Sequence, residues 1–524
     1  MDDKLTGSFY TPLKLIEYMV SCISGIVQPH NILEPSAGDG RFLPFLSEFC
    51  KDITAIELCE EKVELIEKRY GNQCKVVCSD FLEYAIQNEK KYDLIIGNPP
   101  YISKKHLSER QRRLSLENVR HFGLKEDVFQ NIWVSFILAA VRMLSSQGAI
   151  FFVLPFEFLQ VQYAEYLREF LEARFNCIQI TTFEDRVFPE IEQDVCLVYL
   201  SNEIMDRPCI RYKTLISEKD TRTTFESKIT RNKPLKKWSN CILNDYETDT
   251  LISIANRFPK IRDIAETAPG IVTGANAYFI LSKDEVNKLN INEKYYLPII
   301  TKGSLLPSLL KYTSDDFYEL AQLQVKAYLL NLSDLDEKNF SPEMVEYIHK
   351  GEETDLPCRY KCRSRRRWYD VPIVRKGEVC FFKRFHNLPR VIVNSANIHT
   401  TDISYNVRLN EGYEPDSFAF CFYNSLTLAL CEYNGRFYGG GVGELVPNEF
   451  KSLSLPYVKI EEARILTLDN MLRAKASFSQ IIDYVDSIVL SSINDEELKL
   501  LQSIRNRYLE RRLKLYQREV EQNG

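Results

Sequence analysis

The sequence predicts an α/β protein: a doubly wound, mostly parallel sheet first, then a mixed α+β domain and C-terminal helices. Three observations predict it. Short apolar runs alternate with helical stretches over the first two hundred residues, the rhythm of successive strand–helix–strand units. That rhythm is lost between residues 246 and 458. From Glu461 to Gly524 the chain is rich in Leu, Ile, Glu, Lys and Arg and almost free of Gly and Pro, so two or three helices are expected there.

The elements follow in order. Strands are expected at Asn31–Glu34, Ile53–Glu57, Lys75–Cys78, Asp93–Gly97, Ala149–Leu154 and Val195–Leu200, with helices between them such as Leu58–Tyr70 and Asp127–Leu144. A chain of 524 residues is too long for one hydrophobic core. Domains are drawn at 1–205, 246–458 and 459–524. A polar linker is expected at 206–245, carrying Arg231-Asn232-Lys233-Pro234 and Lys236-Lys237. The N-terminus has no basic segment followed by an apolar one, and the stretch Ala149–Leu159 is broken by Pro155 and Glu157. It is too short to span a bilayer, so a cytoplasmic protein with no membrane partner is expected. Fourteen cysteines show no dense framework and are expected to be thiols. Cys358, Cys362, Cys380 and His386 have a spacing that zinc tolerates, but nothing else marks a zinc ribbon, and no metal is expected.

In an open parallel sheet, ligands bind beyond the carboxyl ends of the strands. The first strand ends in Glu34-Pro35-Ser36-Ala37-Gly38-Asp39-Gly40, where glycines permit a tight turn and close approach of backbone to ligand. Leu43 stands where a dinucleotide fingerprint has its third glycine, so the turn alone is also an ordinary strand-to-helix connection. Glu57 ends the second strand, placed either to bind ribose hydroxyls or to open the next helix. After the third strand, Asp80 is placed to accept from an adenine amino group with Phe81 packing on the ring, or else to cap a helix. The fourth strand ends in Asn98-Pro99-Pro100-Tyr101. Two prolines stop the strand and remove two backbone donors. Carbonyls then stand beside the Asn98 side-chain oxygen, with an aromatic ring next. The combination suits an amino group attached to a planar ring: Asn98 and the Pro99 carbonyl accept its two hydrogens, and Tyr101 stacks.

These residues resemble the amino-methyltransferases of DNA. Asn98-Pro99-Pro100-Tyr101 matches their catalytic motif. Glu34–Gly40 resembles their cofactor loop, and Thr6-Gly7-Ser8-Phe9-Tyr10-Thr11-Pro12 the segment that closes over the methionine end of the cofactor. The motif order is that of the gamma class of adenine-N6 methyltransferases of restriction-modification systems, in which the C-terminal region recognises the target. The resemblance is good over residues 5–200 and patchier beyond, where Gly270–Phe279 and Gly439–Leu445 before Leu455-Pro456 look like the entry and closing segments of a recognition domain. It implies a Rossmann-like methyltransferase domain, S-adenosylmethionine as cofactor, and methylation of N6 of an adenine flipped out of double-stranded DNA. It implies Asn98, Pro99, Tyr101 and Phe188 at the chemistry, Phe188 from Arg186-Val187-Phe188-Pro189 and with Phe183 as its competitor. It also implies Thr11, Glu34, Pro35, Ala37, Gly38, Gly40, Glu57, Asp80, Phe81 and Asn98 around the cofactor.

Net charge is −6, so any nucleic-acid contact must come from local clusters. Residues 102–125 carry a net +5, including Lys104 and Lys105, and read either as a phosphate-touching loop or as a solvated helix face. Residues 359–390 carry a net +9, including Arg363, Arg365, Arg366 and Arg367, with Trp368, Tyr369, Phe381 and Phe382 interleaved. Phosphate binding and guanine contacts are the expected uses. The competing readings are methylation of an RNA adenine, methylation of a protein glutamine amide, and a specificity subunit without activity. The one nuclease-like carboxylate pattern, Asp416 with Glu449-Phe450-Lys451, is read as chance, which leaves a separate restriction endonuclease, or none, as partner.

Overall fold

The computed structural model describes residues 10–24, 28–48, 50–188, 194–203, 206–230, 234–290, 292–333, 335–438 and 441–522. Thr6–Phe9, Pro189, Arg231–Lys233 and Gly439-Gly440 lie outside them. The chain forms two compact units that part between Thr248 and Asp249; the second also takes in Gly441–Arg512.

The first unit is built on one nine-stranded sheet. Its strands are β1 (Asn31–Glu34), β2 (Asp52–Glu57), β3 (Lys75–Cys78), β4 (Tyr92–Gly97), β5 (Leu144–Pro155), β6 (Cys177–Phe183), β7 (Val195–Ser201), β8 (Cys209–Leu215) and β9 (Thr223–Thr230), in the order β3-β2-β1-β4-β5-β7-β6-β8-β9. β3, β2, β1, β4 and β5 are parallel, and β7 runs antiparallel between β5 and β6. Parallel strands are covered on both faces and so read as near-continuous apolar runs; Ile53, Ala55, Ile56, Leu94, Ile95 and Ile96 are all buried. The helices α1 (Leu13–Ile23), α2 (Glu60–Tyr70), α3 (Phe81–Gln87), α4 (Glu109–His121), α5 (Ile132–Met143) and α6 (Glu165–Arg174) connect or flank the strands. α2 buries only Val63 and Ile66, whereas α5 is buried nearly all round, which explains its uniformly apolar sequence.

The stretch expected to be a linker, 206–245, belongs to this unit. β8 pairs with β6 and β9 with β8. Beyond them the buried Arg168 donates to the carbonyls of Phe158 (2.8 Å), Val161 (3.1 Å) and Lys236, and buried Trp238 donates to Glu172 at 2.6 Å. β9 is a sheet-edge strand in which only Ile229 is buried, so its residues read as polar.

The second unit holds two four-stranded sheets. One is antiparallel, in the order Ala265–Pro269, Ser404–Leu409, Val379–Phe382, Arg390–Val393. The other runs Ile280–Leu281, Tyr328–Leu330, Tyr296–Ile300, His399–Thr400. Three C-terminal helices form as expected, at Glu462–Arg473, Phe478–Val489 and Asp495–Gln522, but up to Arg512 they are not a separate domain. Asp469 accepts the backbone N–H groups of Leu310 (2.7 Å) and Lys311 (3.0 Å), Arg473 pairs with Asp316 at 2.8 Å, and buried Asp486 accepts from Ser425 at 2.8 and 2.5 Å.

All fourteen cysteines are free. Cys362 and Cys380 are buried in two different apolar clusters, and among the described residues no group of three or more His, Cys, Asp and Glu is placed to hold a metal. Among the described residues no helix is long and apolar enough to cross a membrane.

Candidate active site

β1 and β4 are neighbours where the strand order reverses, with Ile32 beside Leu94 and Leu33 beside Ile95. Glu34-Pro35 and Gly97-Asn98 therefore leave the sheet side by side, at the crevice where open α/β sheets take ligands. Gly97 permits the approach: a Cβ there would lie 3.3 Å from Pro35 Cδ and 3.8 Å from Glu34 Cγ. Ser36 then donates to the Asn98 carbonyl at 3.0 Å.

The loop after β1 is held open by its glycines. Gly38 and Gly40 have φ of +60° and +79°, in the left-handed region. Ala37 donates to the Ile56 carbonyl (2.9 Å), and Gly38 donates to Glu57 (2.8 Å). The other Glu57 oxygen accepts from Leu58 and Cys59 at 3.0 Å each. Glu57 thus ties the loop to β2 and opens α2, while the oxygen that accepts from Gly38 keeps a lone pair. Burial pulls the Asp39 carboxyl up, but the Arg41 guanidinium outweighs it and holds the group below the usual carboxylate range. Arg41 also donates to the Thr11 carbonyl at 2.8 Å and lies 4.8 Å from the centre of the Tyr10 ring.

Glu34 is 1% exposed, and its Oε2 has no hydrogen-bond partner among the described residues. Burial, with Asp39 and Glu57 nearby, raises its carboxyl well above the usual range. Asp80 caps α3 by accepting from Leu82 at 2.9 Å, and burial raises its carboxyl too. Phe81 departs from expectation. It is 2% exposed and its ring faces Phe136 in the core, 5.2 Å between centroids, so it packs the interior rather than presenting a face to a ligand.

Asn98 stands at the centre. Its amide nitrogen donates to Thr11 Oγ1 at 3.2 Å, and its oxygen accepts from the Tyr101 hydroxyl at 3.0 Å. Thr11 is buried, and Arg41 holds its backbone carbonyl. The Tyr101 hydroxyl lies equally 3.0 Å from the Val153 carbonyl, and its ring packs on the core cluster that also buries Phe183 and Phe188. The structure brings Thr11, Glu34, Pro35, Ala37, Gly38, Gly40, Glu57, Asn98 and Tyr101 together. Reading the sequence missed Ser36 and Arg41; an Asp-Gly-Arg triplet shows a possible ion pair but not its reach to Thr11.

The two basic clusters separate on inspection. In the first, Arg110 pairs with Glu83 and Arg120 with Glu126, and Arg112 donates to the Lys104 and Lys105 carbonyls. Lys105 is exposed, and Lys104 lies 5.2 Å from the Phe129 ring. In the second, Arg365 donates to the carbonyls of Val272, Thr273 and Trp368, and Arg367 to Asp370 and the carbonyls of Leu332, Ser333 and Leu335. These two arginines hold the fold rather than facing outward for DNA. Arg363 and Arg366 are exposed. Phe381 and Phe382 are core residues.

A doubly wound sheet with this loop and this tetrapeptide at its switch point defines an S-adenosylmethionine-dependent methyltransferase. Residues 45–188 match the model of the Eco57I restriction-modification methylase, and residues 235–490 that of the C-terminal domain of Type II methyltransferase M.Eco57I. The chain belongs to this family of restriction-modification DNA methyltransferases. It is 24% identical to Type II methyltransferase M.AccI of Acinetobacter calcoaceticus, over 94% of this chain and 95% of that one. It is 21% identical to M.XamI of Xanthomonas campestris pv. amaranthicola, over 86% and 85%. The type IIL restriction-modification enzyme MmeI, solved in complex with DNA, shares the fold with a TM-score of 0.57 at 13% identity, covering 95% of this chain and 75% of that one. The site fits S-adenosylmethionine: no Cβ stands on the half-buried, left-handed turn at Gly38, and Glu34 offers a buried carboxyl oxygen without a partner. When bound, the cofactor supplies an electrophilic methyl group.

Proposed function

We propose that the protein methylates N6 of an adenine rotated out of duplex DNA. The observation that carries this reading is the placement of Asn98 at the end of β4, its amide between Thr11 and Tyr101, with Pro99 next in the chain. Two aligned acceptors draw both hydrogens of an amino group out of the ring plane, which localises the nitrogen lone pair. Alignment and proximity supply the acceleration, and no covalent nucleophile is required. A base in a duplex cannot reach a strand-end pocket, so it must be flipped. Tyr101 stacks on it, with Phe188 on the opposite side. Glu34, Glu57 and Asp80 hold the cofactor. The second unit reads the target, and a separate restriction endonuclease is the matching partner. The relatives M.AccI and M.XamI, both Type II methyltransferases, support the DNA assignment.

The test is transfer of labelled methyl from S-adenosylmethionine to duplex DNA, single-stranded RNA and a mixed protein extract, followed by nucleoside analysis. N6-methyladenine in duplex DNA alone is expected; label in RNA, in protein or on cytosine overturns the reading.

A further inference from the structure

Between residues 359 and 367 the second unit carries a turn whose residues divide sharply into anchors and outward groups. Cys362 is fully buried in the apolar cluster beneath, and Arg365 and Arg367 are bound to backbone carbonyls on either side. Cys362 and Arg363 both donate to the Arg359 carbonyl at 2.9 Å. Gly274, at φ +78°, lies under the turn: a Cβ there would sit 2.8 Å from Lys361 Cβ. The outward groups are Arg359, Tyr360, Lys361, Arg363 and Arg366, all exposed. Tyr360 is 71% exposed, with Lys361 and Arg363 each 5.5 Å from its ring centre. None of the four cations joins an ion pair of the described residues.

A solvated basic face normally interleaves acids, and four unpaired cations in eight residues repel one another. A large aromatic ring held in water between them gains nothing from the fold. Both features gain from the sugar–phosphate backbone of a polyanion. We infer that this turn is a preformed DNA-contact surface on which Tyr360 packs against the sugar–phosphate backbone while Arg359, Lys361, Arg363 and Arg366 neutralise the flanking phosphates. The inference rests on the DNA reading above and names the residues that engage the duplex.

The test uses the full-length protein and a fluorescein-labelled, mixed-sequence duplex of about 30 base pairs, read by anisotropy at several salt concentrations, since a backbone contact carries no sequence information. Tyr360→Ala is expected to weaken binding by roughly 5-fold or more with an unchanged salt slope, unchanged thermal stability and unchanged S-adenosylmethionine affinity, while Tyr360→Phe retains near-native binding. Arg363→Ala and Arg366→Ala are each expected to flatten the salt slope by about 0.9. Wild-type affinity in Tyr360→Ala, or an equal loss in Tyr360→Phe, overturns the inference. The readout does not depend on which atom is methylated, so it can fail while the N6 assignment stands, and the nucleoside analysis can fail while Tyr360 still binds DNA.

Discussion

Replacing Glu34 with Gln should remove a proton that cofactor binding otherwise expels. Glu34 is buried, its Oε2 is unpartnered, and the carboxylates facing it are Asp39, which Arg41 keeps ionised, and Glu57. The neighbouring Cys74 thiol, pushed up to about 11 by burial and by Glu34, stays protonated. Desolvation and two like charges therefore keep Glu34 protonated to a higher pH than an ordinary carboxyl in the free protein. S-adenosylmethionine brings a sulfonium and an ammonium, and a cation beside Glu34 favours the ionised form. Binding then releases one proton for as far up in pH as Glu34 is neutral beforehand. Over that range the dissociation constant falls as pH rises, with a limiting slope of about tenfold per unit. The stability sign is the opposite. A carboxyl raised above its unfolded value contributes stability that is complete below the ordinary carboxyl range and lost as pH rises through the folded value, so the cofactor-free protein weakens on alkalinisation and the complex resists it. Isothermal titration in two buffers of different ionisation enthalpy, from about pH 5.5 to 7.5, below the titration of the cofactor's own amino group, counts the protons. The wild type should release protons on binding, and Glu34→Gln should release fewer. An unchanged proton count, or the same pH slope, in Glu34→Gln refutes the reasoning.

Asn98→Ala should lower methyl transfer by on the order of 10²–10³ or more with cofactor affinity within a few-fold of wild type; an equal loss of both would place Asn98 in cofactor binding instead. Tyr101→Phe removes a hydroxyl shared between Asn98 and Val153, and should cost about 0.5–1.5 kcal/mol by denaturant titration with turnover preserved. Tyr101→Ala should additionally abolish the fluorescence rise of 2-aminopurine at the target position. Arg365→Ala removes charged donors from three carbonyls and should destabilise the protein by about 2–3 kcal/mol while leaving the salt slope of DNA binding alone, the reverse of Arg366→Ala.

What the sequence showed was what local chemistry decides. β1, β2, β4 and β5 announce themselves as apolar runs because both of their faces are covered, and Asn98-Pro99-Pro100-Tyr101 is legible because prolines stop a strand wherever they occur. β9 was not legible: an edge strand buries little, and Thr223–Thr230 looks like a linker until a partner strand is beside it. Phe81 was misread for the converse reason, since a ring after a strand end faces a ligand or the core according to a helix fifty residues away. Arg365 and Arg366 show the limit best. They are adjacent and chemically identical, yet one is locked to three carbonyls and the other faces solvent. Which carbonyls lie within reach is a property of the tertiary fold, and no count of basic residues contains it.

The resting site is already satisfied almost everywhere, and the exceptions are where a reaction has to be fitted. Glu57 accepts three backbone N–H groups, Asp39 accepts Arg41, and Asn98 is held by Thr11 and Tyr101. A loop so tied needs no rearrangement when ligand arrives, which is the condition for electrostatic preorganisation. The unpartnered Glu34 oxygen costs the free protein about 1–3 kcal/mol, a penalty that a cationic ligand relieves. At Asn98 the arrangement works differently. An incoming amino group must take the acceptor that the Tyr101 hydroxyl now uses, and displacing a buried donor would ordinarily leave it stranded at a similar cost. Tyr101 has one proton and two acceptors at the same 3.0 Å, so on losing Asn98 it keeps Val153. In the proposed reaction the exchange leaves the Tyr101 hydroxyl paired, and the Asn98 oxygen is protected until a better donor is presented.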